Sequence, residues 1–228
     1  MKIPQHLGII IDGNRRWARK KGLPPYIGHK KGMNNVKKIA KYCAKLGVKY
    51  LTIFAFSTEN WKRDKNEVNF LMRLLKSAIS GKNLQELMKN NVKLNIIGEI
   101  KRLPLFLQKQ IKKSKELTKN NTGLVLTIAL SYGGRRDIVN AVKKLLQKNI
   151  QPQEVNEELI SHYLWTKNLP DPDLIIRTGR EKRISNFLIW QMAYSELYFS
   201  SKFWPDFSEE DIDKAFLDYS RRQRRFGK

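Results

Sequence analysis

Apolar and polar positions along the chain alternate between two periods. Residues 7–11 form a short apolar run of strand length, rich in β-branched side chains, that stops at Asp12. Similar runs lie at 50–56, 92–98, 124–130 and 173–177, and a shorter one at 197–199. Between them apolar residues recur at helical spacing. After Gly28, the positions Val36, Ile39, Ala40, Cys43, Ala44 and Leu46 share one face, with lysines between them, and Gly47 closes the helix. Helical patterns also cover 67–88, with a kink expected at Ser80-Gly81, and then 103–118 and 154–165. Further helices are expected from Ile138 and after the loop 177–186. A final helix is expected over 208–225, capped by Ser208 with Glu209, Glu210 and Asp211 in its first turn. This alternation predicts an α/β fold: a single domain over 1–228, with a central, mostly parallel six-stranded sheet flanked by helices.

In such a sheet the loops after the strands gather at one edge, where ligands bind. The segments 12–17, 57–63, 131–136 and 177–185 are therefore predicted to converge. Asp12 is the only acidic residue among the first 58, which hold thirteen Lys or Arg. Gly13 and Asn14 favour a sharp turn, and a helix can start at Arg15, a layout in which backbone N–H groups receive a phosphate. Asp12 then reads either as a Mg²⁺ ligand or catalytic carboxylate beside that phosphate, or as the N-cap of a surface helix. The residues alone leave both readings open. Around Gly179, Arg177, Arg183 and Ser185 have the forked donors and hydroxyl that grip a diphosphate, and Arg stands there in a Lys-rich chain. His29, Asn60, Trp61 and Glu196 each have an ordinary structural reading: helix-start histidine, turn former, packing and solvated carboxylate.

Composition narrows the classes. With 41% hydrophobic residues the 228-residue chain can bury a sizeable core. No apolar run approaches bilayer-spanning length, and no signal-peptide pattern stands at the N-terminus, which points to the cytoplasm. Cys43, alone, excludes an internal disulfide and a cysteine-based zinc cluster. The net charge of +24 attracts polyanions, so a basic nucleic-acid-binding module is the alternative class. The lysines are spread along the whole chain, however, which suits a solvated surface as well as a groove. Walker, dinucleotide-binding, nucleophile-elbow and zinc-protease motifs are all absent.

Eight blocks in order resemble the cis-prenyltransferases, particularly the bacterial undecaprenyl diphosphate synthases. They are residues 6–17 (HLGIIIDGNRRW), 28–32 (GHKKG), 56–63 (FSTENWKR), 131–135 (SYGGR), 173–178 (DLIIRT), 183–191 (RISNFLIWQ), 196–199 (ELYF) and 204–207 (WPDF). The resemblance implies sequential condensation of isopentenyl diphosphate onto farnesyl diphosphate with new cis double bonds. The product would be a long-chain, C55 polyprenyl diphosphate, the lipid-carrier precursor for cell-wall and glycan synthesis.

Carried over residue by residue, Asp12 is implied as the Mg²⁺-linked catalytic carboxylate, with Glu196 as a second Mg²⁺ carboxylate. Gly13, Asn14, Arg15, Arg16, Trp17 and His29 are implied as the allylic diphosphate cradle. Ser57, Thr58, Glu59, Trp61 and Arg63 flank Asn60, the implied proton acceptor. Arg177, Arg183, Ile184 and Ser185 are implied as the isopentenyl diphosphate site. An apolar tunnel is expected to hold the growing chain, walled by the helix 68–79 and the strand 124–130. The family resemblance further implies a homodimer, to which 225–227 (RFG) would contribute, peripheral membrane contact for product release, and no nucleic-acid partner. Three departures stand out. Pro25 occupies a position where relatives carry an Arg, so that one contact is lost or is supplied by a neighbour such as Lys21; Arg180 replaces a usual Gly, and Arg136 replaces a residue that varies. Because Asp12 is retained, an active enzyme is expected rather than a non-catalytic partner subunit.

Overall fold

The computed structural model describes residues 1–223. Six strands form one sheet in the order β3-β4-β2-β1-β5-β6, and every neighbouring pair is parallel. The strands are β1 (His6–Ile10), β2 (Tyr50–Ser57), β3 (Lys93–Ile97), β4 (Val125–Tyr132), β5 (Leu174–Arg177) and β6 (Glu196–Phe199). Around them pack α1 (Asn14–Lys20), α2 (Pro25–Leu46), α3 (Lys65–Ala78), α4 (Gly81–Lys89), α5 (Leu105–Thr118), α6 (Gly134–Gln147), α7 (Glu157–Tyr163) and α8 (Glu209–Arg221).

Period-two alternation divides the core. Leu7 and Ile9 of β1 join Val36 and Ile39 of α2, Met72 of α3, Leu107 of α5 and Phe216 of α8 in the larger cluster. Ile10, Phe54 and Tyr132 face the other side, where Phe187 and Leu188 cover them. Phe54 stacks on Phe187 with ring centroids 4.8 Å apart.

Three helix expectations are corrected, and the final helix, expected to run to 225, ends at Arg221 as α8, with Arg222 in extended backbone. The pattern over 67–88 forms two helices, α3 and α4, broken at Ile79 and Ser80, and Gly81 begins α4 at φ 52°. The pattern over 154–165 yields only α7, preceded by a 3₁₀ turn at Pro152–Glu154. No helix lies between β5 and β6. Residues 185–194 form successive turns instead, because Ser185, Asn186 and Leu188 take positive φ values that a right-handed helix excludes. The segment 225–227 lies outside the described residues.

Two buried titratable groups make opposite demands on pH. His6 is held neutral: its Nδ1–H donates to the Pro170 carbonyl (2.6 Å) and its Nε2 accepts from the Thr52 hydroxyl (2.8 Å). Burial lowers its pKa to about 4. Asp137, in the first turn of α6, accepts from the Trp165 N–H (2.8 Å) and the Tyr132 hydroxyl (3.3 Å), and burial raises its pKa to about 6. From pH 6.5 down to 4 the unfolded chain protonates His6 more readily, so stability falls by about 3 kcal/mol. From pH 6 down to 3.8 the folded chain protonates Asp137 more readily, so stability rises by about 3 kcal/mol. The two contributions nearly cancel between pH 6 and 4. Asp137→Asn is therefore expected to give a steeper fall in urea midpoint across that window than the wild type. Superimposable pH profiles would contradict these assignments.

Candidate active site

The site is built where β1, β2 and β5 end. After Ile10 the chain turns, with the Asp12 N–H donating to the Ile10 carbonyl (3.0 Å), and Gly13 takes φ 109° to begin α1. A side chain at Gly13 would meet Phe203 at 2.7 Å, so the turn is closed to other residues on two counts. α2 then lies hard against this turn: a Cβ at Gly28 would stand 2.1 Å from the Asn14 carbonyl oxygen.

Asp12 is the meeting point of two arginines. Its Oδ2 receives Arg16 Nη2 and Arg177 Nη2, both at 3.0 Å, while Oδ1 takes part in neither contact. Arg177 ends β5 and is 4% exposed. Its Nη1 donates to Ser185 Oγ (2.7 Å) and to the Arg183 carbonyl, while its Nε is buried without a partner. A guanidinium this deep needs counter-charge on its open side. The segment that meets it is strained: of the described non-glycine residues with positive φ, Arg180, Ser185, Asn186 and Leu188 fall within nine positions.

Two further carboxylates organise the remaining cations. Glu181 bridges Arg16 (2.9 Å) and Arg183 (2.6 Å). Glu67, in the first turn of α3, gathers His29 Nε2 (3.2 Å), Arg63 (3.1 Å) and Arg15 (3.8 Å). Burial outweighs this partner and lowers the His29 pKa, so the ring is neutral at pH 7 and donates from Nε2. The resulting cleft has a volume of about 760 Å³. Asp12, Gly13, Asn14, Arg15, Arg16 and His29 line it from one side. Ser57, Glu59, Asn60, Arg63, Arg177 and Ser185 line it from the other, over an apolar floor that includes Ile10 and Phe54. Asn186 ties the walls together, donating to Glu59 (3.1 Å) and accepting from the Arg135 N–H (2.9 Å).

Several predicted site residues stand elsewhere. Trp17 is buried and donates to Asp206 (2.7 Å). Trp61 donates to Ser131 (2.9 Å) and packs edge-on against Phe56. Thr58 and Ile184 do not line the cleft, and the Arg183 guanidinium points at Glu181. Asn60 Oδ1 accepts the Ser57 N–H (3.1 Å) in a capping box, so its acceptor is already engaged. Glu196 is not brought to Asp12. It starts β6 in register with Leu174, three residues before the pair Arg177–Phe199 at the cleft edge, and it pairs with Arg222 (2.7 Å). Lys21 does not replace the arginine missing at Pro25, because its ammonium lies 4.8 Å from the Trp17 ring. Arg19 lines the cleft instead. It stands one helical turn from Arg15, a spacing visible in the sequence. Arg180 turns away onto Phe203 (5.5 Å).

A second, more apolar cavity of about 480 Å³ lies between α2, α4 and β4. Ala78 and Ile79 at the end of α3 and Leu126 and Ile128 of β4 line it, as do Met33 and Val36 of α2. Met33 stands about one turn along α2 from His29.

The Prenyltransf family model, described as undecaprenyl diphosphate synthase, matches residues 10–227. The chain belongs to the undecaprenyl diphosphate synthase family. It is a transferase of the cis-prenyltransferase type. The isoprenyl transferase of Clostridium perfringens is 50% identical over 99% of this chain and 90% of its own length. That of Bacillus cereus is 50% identical over 99% of this chain and 88% of its own. Among solved structures, lavandulyl diphosphate synthase from Lavandula x intermedia, in complex with dimethylallyl diphosphate, superposes with a TM-score of 0.94 at 38% identity over 99% of both chains. A probable undecaprenyl diphosphate synthase from Campylobacter jejuni gives 0.83 at 34% identity over the whole of both. Among the described residues no helix is long and apolar enough to cross a membrane. This family membership places the chain with the transferases rather than the nucleic-acid-binding modules.

Proposed function

We propose that this transferase condenses isopentenyl diphosphate sequentially onto farnesyl diphosphate and releases an undecaprenyl (C55) diphosphate with new cis double bonds. The observation that carries the reading is Asp12 held between Arg16 and the buried Arg177, whose Nε has no partner. Two guanidiniums share that one carboxylate, and Arg15, Arg19 and Arg63 line the same cleft, a donor set suited to a diphosphate. The complex of a relative with dimethylallyl diphosphate supports an allylic diphosphate there.

In this reading Arg15, Arg16 and Arg19 take the allylic diphosphate. α1 has only seven residues, so side chains rather than a helix dipole carry the recognition. Arg177, Ser185 and Arg183 take isopentenyl diphosphate, Arg183 after leaving Glu181. The allylic C–O bond breaks as the new C–C bond forms, and charge grows on the departing diphosphate where the guanidiniums already stand. The product then loses a proton. With Asn60 Oδ1 engaged by the Ser57 N–H, the departing diphosphate is the nearer acceptor in chemistry.

Mg²⁺ suits the donor set. Asp12 keeps Oδ1 outside its ion pairs, and among the described residues no group of three His, Cys, Asp or Glu forms an all-protein cage. One carboxylate plus diphosphate oxygens is how Mg²⁺ is commonly held. The ion would stabilise charge on the leaving group. Glu196 enters only if a second chain brings it near. The apolar cavity beside α2 is the proposed berth of the growing chain. A homodimer is supported by Val139, Val142 and Leu146, which form an exposed apolar stripe on α6. The enzyme is proposed to work in the cytoplasm with peripheral contact to the membrane.

Incubation of pure protein with Mg²⁺, farnesyl diphosphate and labelled isopentenyl diphosphate, followed by product sizing, is expected to give butanol-extractable C55 product. Absence of any extractable polyprenyl product would overturn the proposal.

A further inference from the structure

The outer face shared by α3 and α5 takes no part in the chemistry above. The two helices are locked side by side, because Gln110 and Ser114 of α5 both donate to the Ile79 carbonyl, at 3.0 and 2.7 Å. Inward they bury Leu71, Met72 and Leu75 from α3 and Leu107 and Ile111 from α5. Outward they leave large apolar side chains in water. Leu105 is 72% exposed and Phe106 41%, adjacent in the first turn of α5. Lys76 of α3 lies 5.8 Å from the Phe106 ring. Six residues earlier, about 9 Å along the helix, Phe70 meets Tyr26 edge-on at 5.9 Å, and Tyr26 is itself 46% exposed. The surrounding charge is predominantly positive, with Glu67 at the start of α3 and Glu116 at the end of α5 as the acidic residues of the two helices. Residues 68–85 and 100–115 together hold nine Lys or Arg and no Asp or Glu. Arg73, Lys76, Lys109, Lys112 and Lys113 among them are exposed.

We infer that this face docks the protein on the surface of an anionic lipid bilayer, with Leu105 and Phe106 entering the headgroup–acyl boundary and the flanking lysines meeting the phosphates. Exposed apolar side chains ringed by cations are what such a surface recognises. A second copy of the chain is a poor occupant, since two faces of this charge repel. A nucleic acid would match the cations and leave Leu105 and Phe106 without a role. The inference rests on the proposed polyprenyl product. α3 contributes Leu71 to the cleft and Ala78 to the apolar cavity, joined by Ile79 just past its end. Docking through its outer side sets both cavities next to the membrane that must receive such a product.

The test is co-sedimentation of the full chain with phosphatidylcholine vesicles, with and without 30% phosphatidylglycerol. Binding is expected on the anionic vesicles, at least about tenfold weaker on the neutral ones, and weakened by 0.5 M salt. Leu105→Ser/Phe106→Ser is expected to reduce anionic-vesicle binding at least about tenfold. Its melting temperature and its condensation rate in vesicle-free, detergent-containing assay should match the wild type. Lys112→Glu/Lys113→Glu should weaken binding as well. The equal charge change Lys49→Glu/Lys93→Glu, where β2 and β3 begin, should not. Equal binding to both vesicle types, undiminished binding by the Leu105/Phe106 variant, or full displacement of the protein from vesicles by an oligonucleotide of equal phosphate concentration would each overturn the inference. The vesicle-free assay separates the two claims: loss of condensation with vesicle binding intact counts against the proposed reaction and not against the surface.

Discussion

Asp12→Ala should lower the rate of isopentenyl diphosphate condensation by roughly a thousandfold or more, a loss in the range for removing a group that positions charge stabilisation in a closed site. The variant should still fold, but less stably. Asp12 is the counter-charge of two guanidiniums, and one of them, Arg177, is buried. Removing the carboxylate leaves that cation unopposed at a cost of about 1–3 kcal/mol, moderated because Asp12 itself is partly open to water. This gives the prediction a second readout. Inorganic diphosphate should raise the thermal midpoint of Asp12→Ala more than that of the wild type, because the anion restores missing counter-charge. An Asp12→Ala enzyme of near-normal rate, or one on which diphosphate has no larger effect, would contradict the geometry drawn for Asp12.

Arg177→Met should be almost as damaging, by a different route. The Arg177 side chain joins Asp12, Ser185 and the Arg183 carbonyl, and so holds the strained turns after β5 against the end of β1. Methionine fills much of the volume and supplies none of the donors. The rate is expected to fall about a hundredfold to ten-thousandfold, with the KM for isopentenyl diphosphate raised far more than that for farnesyl diphosphate. Arg177→Lys should not rescue it, since a single ammonium cannot reach three partners in the directions a planar fork does. Steady-state kinetics with each substrate varied in turn checks this. A near-normal lysine variant would show that charge alone suffices.

The sheet was legible from the chain because each strand is a buried apolar run between turn residues, and observed bounds fall within two residues of the predicted ones. The convergence of four loops followed from parallel topology. Asp12 beside Arg177 could be anticipated from where their strands end. The segment after β5 could not. The chain predicts a helix there, yet Phe187 and Leu188 cap the smaller core from turns that only the tertiary setting stabilises. Trp17 and Trp61 sat inside the motifs, yet their indoles turn to protein partners, Asp206 and Ser131, because an indole N–H near a sheet edge finds a protein acceptor. Glu67 and Glu181 escaped notice for the converse reason. Glu67 is one turn from Arg63, an ordinary surface pairing, and nothing in its spacing reveals that Arg15 and His29 arrive from other helices.

Those two glutamates change how the cleft meets its ligands. A protein of charge +24 suggests a bare electropositive mouth, yet Glu67 and Glu181 already engage Arg15, Arg16 and Arg63 there. Entry of a diphosphate is therefore an ion exchange within the protein: a tethered monoanion is traded for a mobile polyanion. The empty enzyme avoids crowding like charges, and the full one gains only the difference between the two partners. Substrate affinity should accordingly follow salt concentration less steeply than the net charge implies. It should follow instead the ligand's own charge, which favours a diphosphate over a monophosphate of the same chain.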